Sequence, residues 1–230
     1  MFYSADFSIE NVFLNDEETH HLLRVLRMKV GDICEVIDGK GNLYTTKIIQ
    51  IHKKKCELFI QNKIFSPKND YQFHLAIAPT KSIERIEFML EKCVELGIDK
   101  VTLLLTKHSE RKQVNIERLE KIMISALKQS QQKYLPIIEN MIDFKVFIEN
   151  DFENTQCFLA HLEENTKSLK SIIQPKKNTL ILIGPEGDFS KDEILLAKNK
   201  NFQMVRLGKS RLRTETAGLY ANFMYQLINE

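Results

Sequence analysis

Two short stretches hold the residue types that can do chemistry: "LILIGPEGDF" (Leu180 to Phe189) and "RLGKSRLRTET" (Arg206 to Thr216). The first ends an apolar run in a turn made by Gly184, Pro185, Glu186 and Gly187. A phosphate would need free backbone N–H groups or a lysine near a helix start. Pro185 has no N–H and Glu186 brings negative charge, so the turn suits a ligand without phosphates. Neither GxGxxG nor GxxxxGK[ST] occurs in the chain. A Gly-Pro turn between a strand and a helix also serves plain chain reversal, and that reading stands beside the binding one. The second stretch gathers Arg206, Lys209, Arg211 and Arg213 in one loop. Arginine is the better partner for phosphates and planar acceptors, because its guanidinium is a flat, fixed fork. "RTET" ahead of "AGLYANFMYQL" also reads as a helix N-terminus, a threonine cap with an early acid, so Thr214 has a capping and a binding reading.

Other residues carry weaker signals. Cys34, Cys56, Cys93 and Cys157 are far apart with no CxxC pair, which fits reduced core thiols and neither a disulfide framework nor a zinc site. The one histidine cluster, "THH" at Thr19 to His21, places its side chains on diverging faces of a helix, so no metal is expected. Lys53 to Lys55 form a triplet in a predicted hairpin turn, where lysines are usually just solvated. The net charge of +2 does not announce a nucleic-acid protein, but it conceals these local clusters. No apolar run approaches the roughly 20 residues that cross a bilayer, and the start lacks the order of a secretory signal. A cytoplasmic protein without membrane contact is expected.

The elements that position these residues fall into two parts. From Ile33 to Lys63 short alternating runs are broken by "DGKGN" and "HKKK", which predicts a small antiparallel sheet or barrel. Before it, "NDEETHHLLRVLRMKVGD" predicts a helix capped by Asn15 or Asp16, with Leu22, Leu23, Val25 and Leu26 to bury. His20, His21, Arg24 and Arg27 lie at helical spacings there, as a basic face or as the polar side of an ordinary amphipathic helix. "FSPKNDY", Phe65 to Tyr71, marks the boundary. After it strand and helix alternate, and the strands "FHLAIAP", "KVTLLLT", "TQCFLAH", "TLILIG" and "QMVRLG" predict a largely parallel α/β sheet covered on both faces. Helices are expected from Ser190 and from Thr214. Ligands of such sheets sit beyond the C-terminal strand ends, so the two loops should open on one edge.

Read together, "IGPEGDFSKDEI" and "RLGKSRLRTETAGLYANFMYQL" resemble the paired C-terminal signatures of the knotted SPOUT methyltransferases. More closely, the chain resembles the bacterial 16S ribosomal RNA uridine N3-methyltransferase family. "HHLLRVLRMKVGD" is similar to that family's N-terminal segment and "KSIERIEFMLEKCVELGI" to its first catalytic-domain helix, with "LRTETA" the most specific match. The resemblance covers nearly the whole chain. It implies an α/β protein with a PUA-like β-barrel over residues 1–68 and a SPOUT-type, trefoil-knotted parallel-sheet domain over residues 69–230. It also implies S-adenosyl-L-methionine as methyl donor, no metal, a homodimer, and 16S rRNA of the small ribosomal subunit as substrate.

That ligand suits the loops, since it offers a flat adenine and a thioether-like tail and wants apolar walls with close backbone approach. Gly184 and Gly187 would let backbone approach, Pro185 would stiffen the turn, and Ile183, Leu207 and Leu212 would flank the ring. Gly208 would permit the second loop its tight path, and by family analogy Leu159 and Ala160 supply a third wall. Glu186, Thr214, Thr216 and Ala217 complete the expected cofactor set. Arg213 is expected to stabilise charge on the uracil carbonyl oxygens. Glu215 is the candidate proton acceptor, and Glu186 can instead orient a backbone loop. His21, Arg24, Arg27, Lys209 and Arg211 are the expected RNA contacts. The chain departs from the family at Asp188, where a second glycine is usual, and at Lys128 and Gln132, where a glutamate and an arginine are usual. Asp188 or Ser190 would cap the following helix. Two rivals stand: a non-catalytic RNA-binding protein, and a SPOUT enzyme that methylates the ribose 2′-oxygen.

Overall fold

In the computed structural model, which describes residues 1–162 and 166–230, two compact units are distinguished. One comprises Met1–Lys68 with Ile124–Leu135, the other Asn69–Met123 with Pro136–Glu230.

The first unit is built on β1 (Phe2–Tyr3), β2 (Asp6–Phe7), β3 (Asn11–Leu14), α1 (Asp16–His20), β4 (Ile33–Ile37), β5 (Asn42–Ile51) and β6 (Cys56–Phe65). The six strands form one curled sheet in the order β1-β4-β5-β6-β3-β2, antiparallel except for the β1–β4 pair. Alternation sets the inward face: Cys34 and Val36 on β4, Tyr44 and Ile48 on β5, and Cys56 and Leu58 on β6 point into the core. The β4–β5 turn is "DGKGN", with Gly39 and Gly41 at φ 70° and 95°. The Asp38 carboxylate accepts the N–H groups of Lys40 and Asn42 across it. Lys53 to Lys55 occupy the β5–β6 turn, where Lys55 pairs with Asp6 at 3.1 Å on the surface.

The helix expected from Asn15 is shorter than its pattern suggests. Asn15 is the cap, its side chain accepting from the Glu18 N–H, but after α1 the chain widens into one π-helical turn, His21–Val25. The extra residue per turn rotates the apolar register, and Arg27 leaves at φ 54°. Leu22 is therefore buried while Val25 and Leu26 are 64% and 47% exposed, a correction to their expected burial. His20, His21, Arg24 and Arg27 share no single helical face, because Arg27 lies outside the helix. Lys128, a departure from the family pattern, pairs with the buried carboxylate of Glu18 on α1.

The second unit runs β7 (Phe73–Ile77), α2 (Ile83–Leu96), β8 (Lys100–Leu105), the first half of α3 (Ile116–Ser130), β9 (Ile137–Asp143), α4 (Phe144–Phe147), β10 (Thr155–Ala160), β11 (Lys167–Ser168), α5 (Leu169–Ile172), β12 (Asn178–Ile183), α6 (Lys191–Asn199), β13 (Gln203–Arg206) and α7 (Thr214–Asn229). Its seven-stranded sheet has the order β11-β13-β10-β12-β7-β8-β9 and is parallel throughout. The β-branched and leucine runs of β7, β8 and β12 are almost wholly buried, as strands covered on both faces must be. Helix α7 lies close against the sheet at Gly218: a Cβ there would stand 2.7 Å from Met89 Sδ and 3.1 Å from Ile77 Cδ1. Near the starting end of β7, β8 and β9 a polar row crosses the strands. His74 Nε2 meets Thr102 Oγ1 at 2.7 Å, Thr102 meets Glu139, and Lys100 pairs with Glu139 at 2.8 Å.

Candidate functional site

Because all seven strands point one way, the loops after β7, β8, β10, β12 and β13 emerge on one edge of the sheet. A cavity of about 610 Å³ opens there, walled by the end of β10, the turn after β12, the loop after β13 and the first turn of α7. The turn closes on a bond from the Asp188 N–H to the Pro185 carbonyl at 2.9 Å. Asp188 sits at φ 61°, a left-handed conformation that aspartate tolerates and glycine adopts freely. Its carboxylate accepts the Phe189 N–H at 2.7 Å and meets His161 Nδ1 at 2.7 Å, tying the turn to the end of β10. Ser190, not Asp188, caps α6, in a reciprocal capping box with Glu193.

The loop after β13 is laced to the same turn. The Arg211 guanidinium donates to the Glu186 carbonyl at 2.9 Å, and the buried Thr214 hydroxyl donates to the Gly184 carbonyl at 3.1 Å. Arg213 is the N-cap residue of α7 and makes no side-chain cap bond, so the capping role expected of Thr214 is corrected: its hydroxyl is spent on the neighbouring loop. The Glu186 side chain orients backbone, accepting the Lys81 N–H at 3.3 Å.

Most residues singled out in the sequence meet at this cavity: Ala160, Ile183, Gly184, Pro185, Glu186, Leu207, Gly208, Arg211, Leu212, Arg213, Thr214 and Ala217 all line it. Others do not. Leu159 is buried in the sheet's core cluster, because its side chain alternates to the face opposite that of Ala160. Gly187 faces His108, whose Cβ would lie 3.2 Å from a Cβ added there. Thr216 and Lys209 are exposed and off the lining. Glu215 turns toward α2, where Oε1 lies 3.9 Å from Arg85 Nε and the side chain is 12% exposed. In the first unit His21 lies half-buried beside Phe2, and Arg24 and Arg27 are exposed.

His161, Leu162, Asp188, Arg206 and Ser210 line the cavity without having been expected there. His161 immediately follows Ala160, and a polar residue at a strand end carries no apolar-wall signal in the sequence. Arg206 was noted for its charge, yet its Nε is committed to the Thr166 carbonyl at 3.0 Å. Among the described residues Arg213 forms no ion pair with Glu186 or Glu215, and its side chain is exposed at the cavity mouth and at the positive end of α7.

The cavity offers apolar walls together with polar groups, among them Arg206, Arg211 and Arg213, which suits a small molecule with both an apolar and a polar part. Its volume is that of a small-ligand site, its walls include Ile183, Leu207, Leu212 and Ala217, and a Cβ at Gly208 would meet nothing within 4 Å, so backbone is open to a ligand there.

Known proteins place this architecture. Residues 67–226 match a family model described as an RNA methyltransferase domain, and residues 14–61 match an RNA methyltransferase PUA domain. Ribosomal RNA small subunit methyltransferase E from Buchnera aphidicola is 33% identical over 91% of this chain and 85% of its own length. The protein of the same name from Rickettsia conorii is 30% identical over 93% and 88%. Among solved structures, a probable rRNA-methyltransferase from Porphyromonas gingivalis superposes with a TM-score of 0.92 at 38% identity, covering 99% of this chain and 97% of that one. The Neisseria gonorrhoeae ribosomal RNA small subunit methyltransferase E, bound to S-adenosyl methionine, gives 0.87 at 26% identity and the same coverage. The fold is thus that of these RNA methyltransferases, a parallel-sheet α/β domain with an N-terminal PUA domain, and the chain belongs to the RNA methyltransferase family of ribosomal RNA small subunit methyltransferase E.

Proposed function

We propose that this protein methylates N3 of a uridine in 16S rRNA of the small ribosomal subunit, with S-adenosyl-L-methionine as donor and no metal, in the cytoplasm and as a homodimer. The observation that carries this reading is a cavity at the strand ends that joins apolar walls to an exposed guanidinium, Arg213, with no ion pair among the described residues. The donor supplies an electrophilic methyl group. Ile183, Leu207, Leu212 and Ala217 hold its apolar part, and the backbone at Gly184 and Gly208 lets it lie close. Uridine N3 carries a proton at neutral pH; that proton passes to solvent water, negative charge is left on the ring carbonyl oxygens, and N3 forms its bond to the methyl as the sulfonium carbon–sulfur bond breaks and the donor leaves as a neutral thioether. Arg213 stabilises that charge from a fixed position, which is the larger part of what the site needs beyond alignment. Glu215 pairs with Arg85 and in this reading supports the first turn of α7 instead of taking the proton.

Residues 1–68 act as the RNA-positioning barrel, through His21, Arg24 and Arg27, and residues 69–230 as the catalytic domain, with Lys209 and Arg211 beside the substrate. Exposed Phe88 on α2, and Phe223 and Leu227 on α7, support the homodimer, since such apolar surface is unfavourable in water. Light scattering at micromolar concentration should give twice the 26.9 kDa chain mass, and a monomer mass would refute this part. Function is tested by mass spectrometry of nucleosides from small-subunit RNA treated with protein and donor. 3-Methyluridine is expected. A 2′-O-methylated nucleoside would indicate the ribose-directed rival, and RNA binding without methylation the non-catalytic one.

A further inference from the structure

The loops after β7, β8, β12 and β13, residues 79–82, 106–113, 184–190 and 207–213, carry seven lysine and arginine side chains against three carboxylates, and the sequence of the loop after β10 adds two glutamates. Four of the seven cations, Lys81, Lys107, Arg111 and Lys112, fall in the first two of these loops, with Glu110 as their one carboxylate. We infer that the loop after β8, with Lys81 beside it, is a phosphate-binding rim that grips the RNA backbone next to the cavity. This rests on the proposed RNA methyltransferase function and adds to it a surface, Lys81, Lys107, Arg111 and Lys112, that neither loop signature contains.

The rim is built, not merely charged. Thr106 and Ser109 close the loop through bonds of 2.9 and 3.0 Å, and the Lys107 N–H is held by Glu193 at 2.8 Å. Arg111 donates from Nε to the Thr80 carbonyl at 3.0 Å and from Nη2 to the Lys81 carbonyl. Both partners are neutral carbonyls, so the guanidinium is fixed in place with no carboxylate hydrogen-bonded to it among the described residues. The Lys81 N–H then meets Glu186, whose carbonyl takes Arg211, so hydrogen bonds run from the rim to the cavity lining. Lys81, Glu110, Arg111, Lys112 and Gln113 surround a recess of about 410 Å³. The Lys81–Glu110 pair, with side chains 81% and 55% exposed, is weak in salt water and easily exchanged for a phosphate. Lys107 and Lys112 are exposed and have no carboxylate partner among the described residues. Neighbouring cations on a rigid edge suit a polyanion with regularly spaced charges, and phosphodiester backbone is the one a base-methylating site must hold.

The test uses the full-length protein, small-subunit rRNA transcript as probe, and the variant Lys107→Ala/Lys112→Ala. RNA affinity should fall about tenfold at low salt. The slope of log affinity against log salt should become shallower by about 1.5, the release expected for two phosphate contacts. Methylation should show raised KM for RNA with kcat nearly kept, and calorimetric affinity for S-adenosyl-L-methionine should stay within about twofold. Lys177→Ala/Lys198→Ala, on the opposite edge, controls for net charge and should leave the slope unchanged. Equal slopes for the rim variant and wild type, in protein that methylates the RNA, would overturn the rim alone. A rim variant matched by the control would overturn it as well. A wild-type protein that neither binds nor methylates the RNA would overturn the rim together with the proposed function.

Discussion

Acidifying the protein from pH 7 to pH 5 should destabilise the second unit through His74. The imidazole is pushed from its ordinary 6.5 down to about 4, chiefly by burial, then by the charge of Lys100, with Glu139 opposing. A group whose folded pKa is depressed contributes stability that is present above its unfolded pKa and lost as pH falls toward the folded one. At pH 5 the unfolded imidazole is nearly all protonated while the folded one is about nine-tenths neutral. Integrated from pH 7, the difference amounts to about 2 kcal/mol, an upper figure because the ring keeps a partly solvated edge. Glu139 does not confuse this window. Burial raises its pKa, but hydrogen bonds from Lys100 and Thr102 outweigh burial and hold it below the ordinary value, so its contribution is lost only at lower pH. The perturbation is His74→Gln, which keeps a hydrogen-bonding group toward Thr102 and removes the titration. The assay is urea unfolding at pH 7 and pH 5 at fixed protein concentration, comparing midpoints of the second unit's transition. Contributions common to the two proteins cancel in the double difference. Wild type should lose about 2 kcal/mol more than the variant between the two pH values. Equal losses would refute the assignment, as would an imidazole NMR titration placing His74 near 6.5.

Further outcomes follow from the cavity. Arg213→Ala should cut the methylation rate by about a hundredfold with cofactor affinity barely changed, and Arg213→Lys should rescue poorly. Single-turnover rates on small-subunit particles decide this, and a matching loss of cofactor binding would reduce Arg213 to a support. Gly208→Val should leave the fold intact, since the position opens on empty space, yet weaken S-adenosyl-L-methionine binding at least tenfold by calorimetry. Ser190→Ala should cost about 1 kcal/mol in urea unfolding, because it removes the side-chain cap of α6 while Glu193 keeps the backbone N–H groups of residue 190 and Lys107.

Legibility from the sequence tracked how local each signal was. The buried strands β7, β8 and β12 are legible because parallel strands covered on both faces leave continuous apolar runs, and β10 and β13, only partly buried, are legible from shorter apolar runs in the same rhythm. Strand β9, "IIENMID", escaped notice: it is an edge strand whose polar residues break the run, and Glu139 there answers to Thr102 and Lys100 on β8. The loops that meet at the cavity were readable from glycines, Pro185 and the arginines. The His161–Asp188 contact was not, because it joins the ends of two strands through a left-handed aspartate that sequence offers only as a departure from a pattern. Nor does helical periodicity show that one extra residue at His21–Val25 turns Val25 and Leu26 to solvent.

The route of α7 has a consequence for how ligand and folding are coupled. Thr214 anchors its start on Gly184, while Asn222 Nδ2 donates to the Cys93 carbonyl at 3.1 Å and Gln226 Nε2 to the Gly97 carbonyl at 2.8 Å, each across 129 positions of chain. Contacts so distant in sequence are slow to close, as is the β7–β12 pairing, whose neighbouring bond spans 106 positions. The cavity lining is complete only when α7 has docked, because Thr214 and Ala217 belong to it. A ligand that needs the whole lining binds the finished fold. Its effect falls on the reverse step: saturating ligand should slow unfolding in proportion to occupancy and leave the refolding rate unchanged.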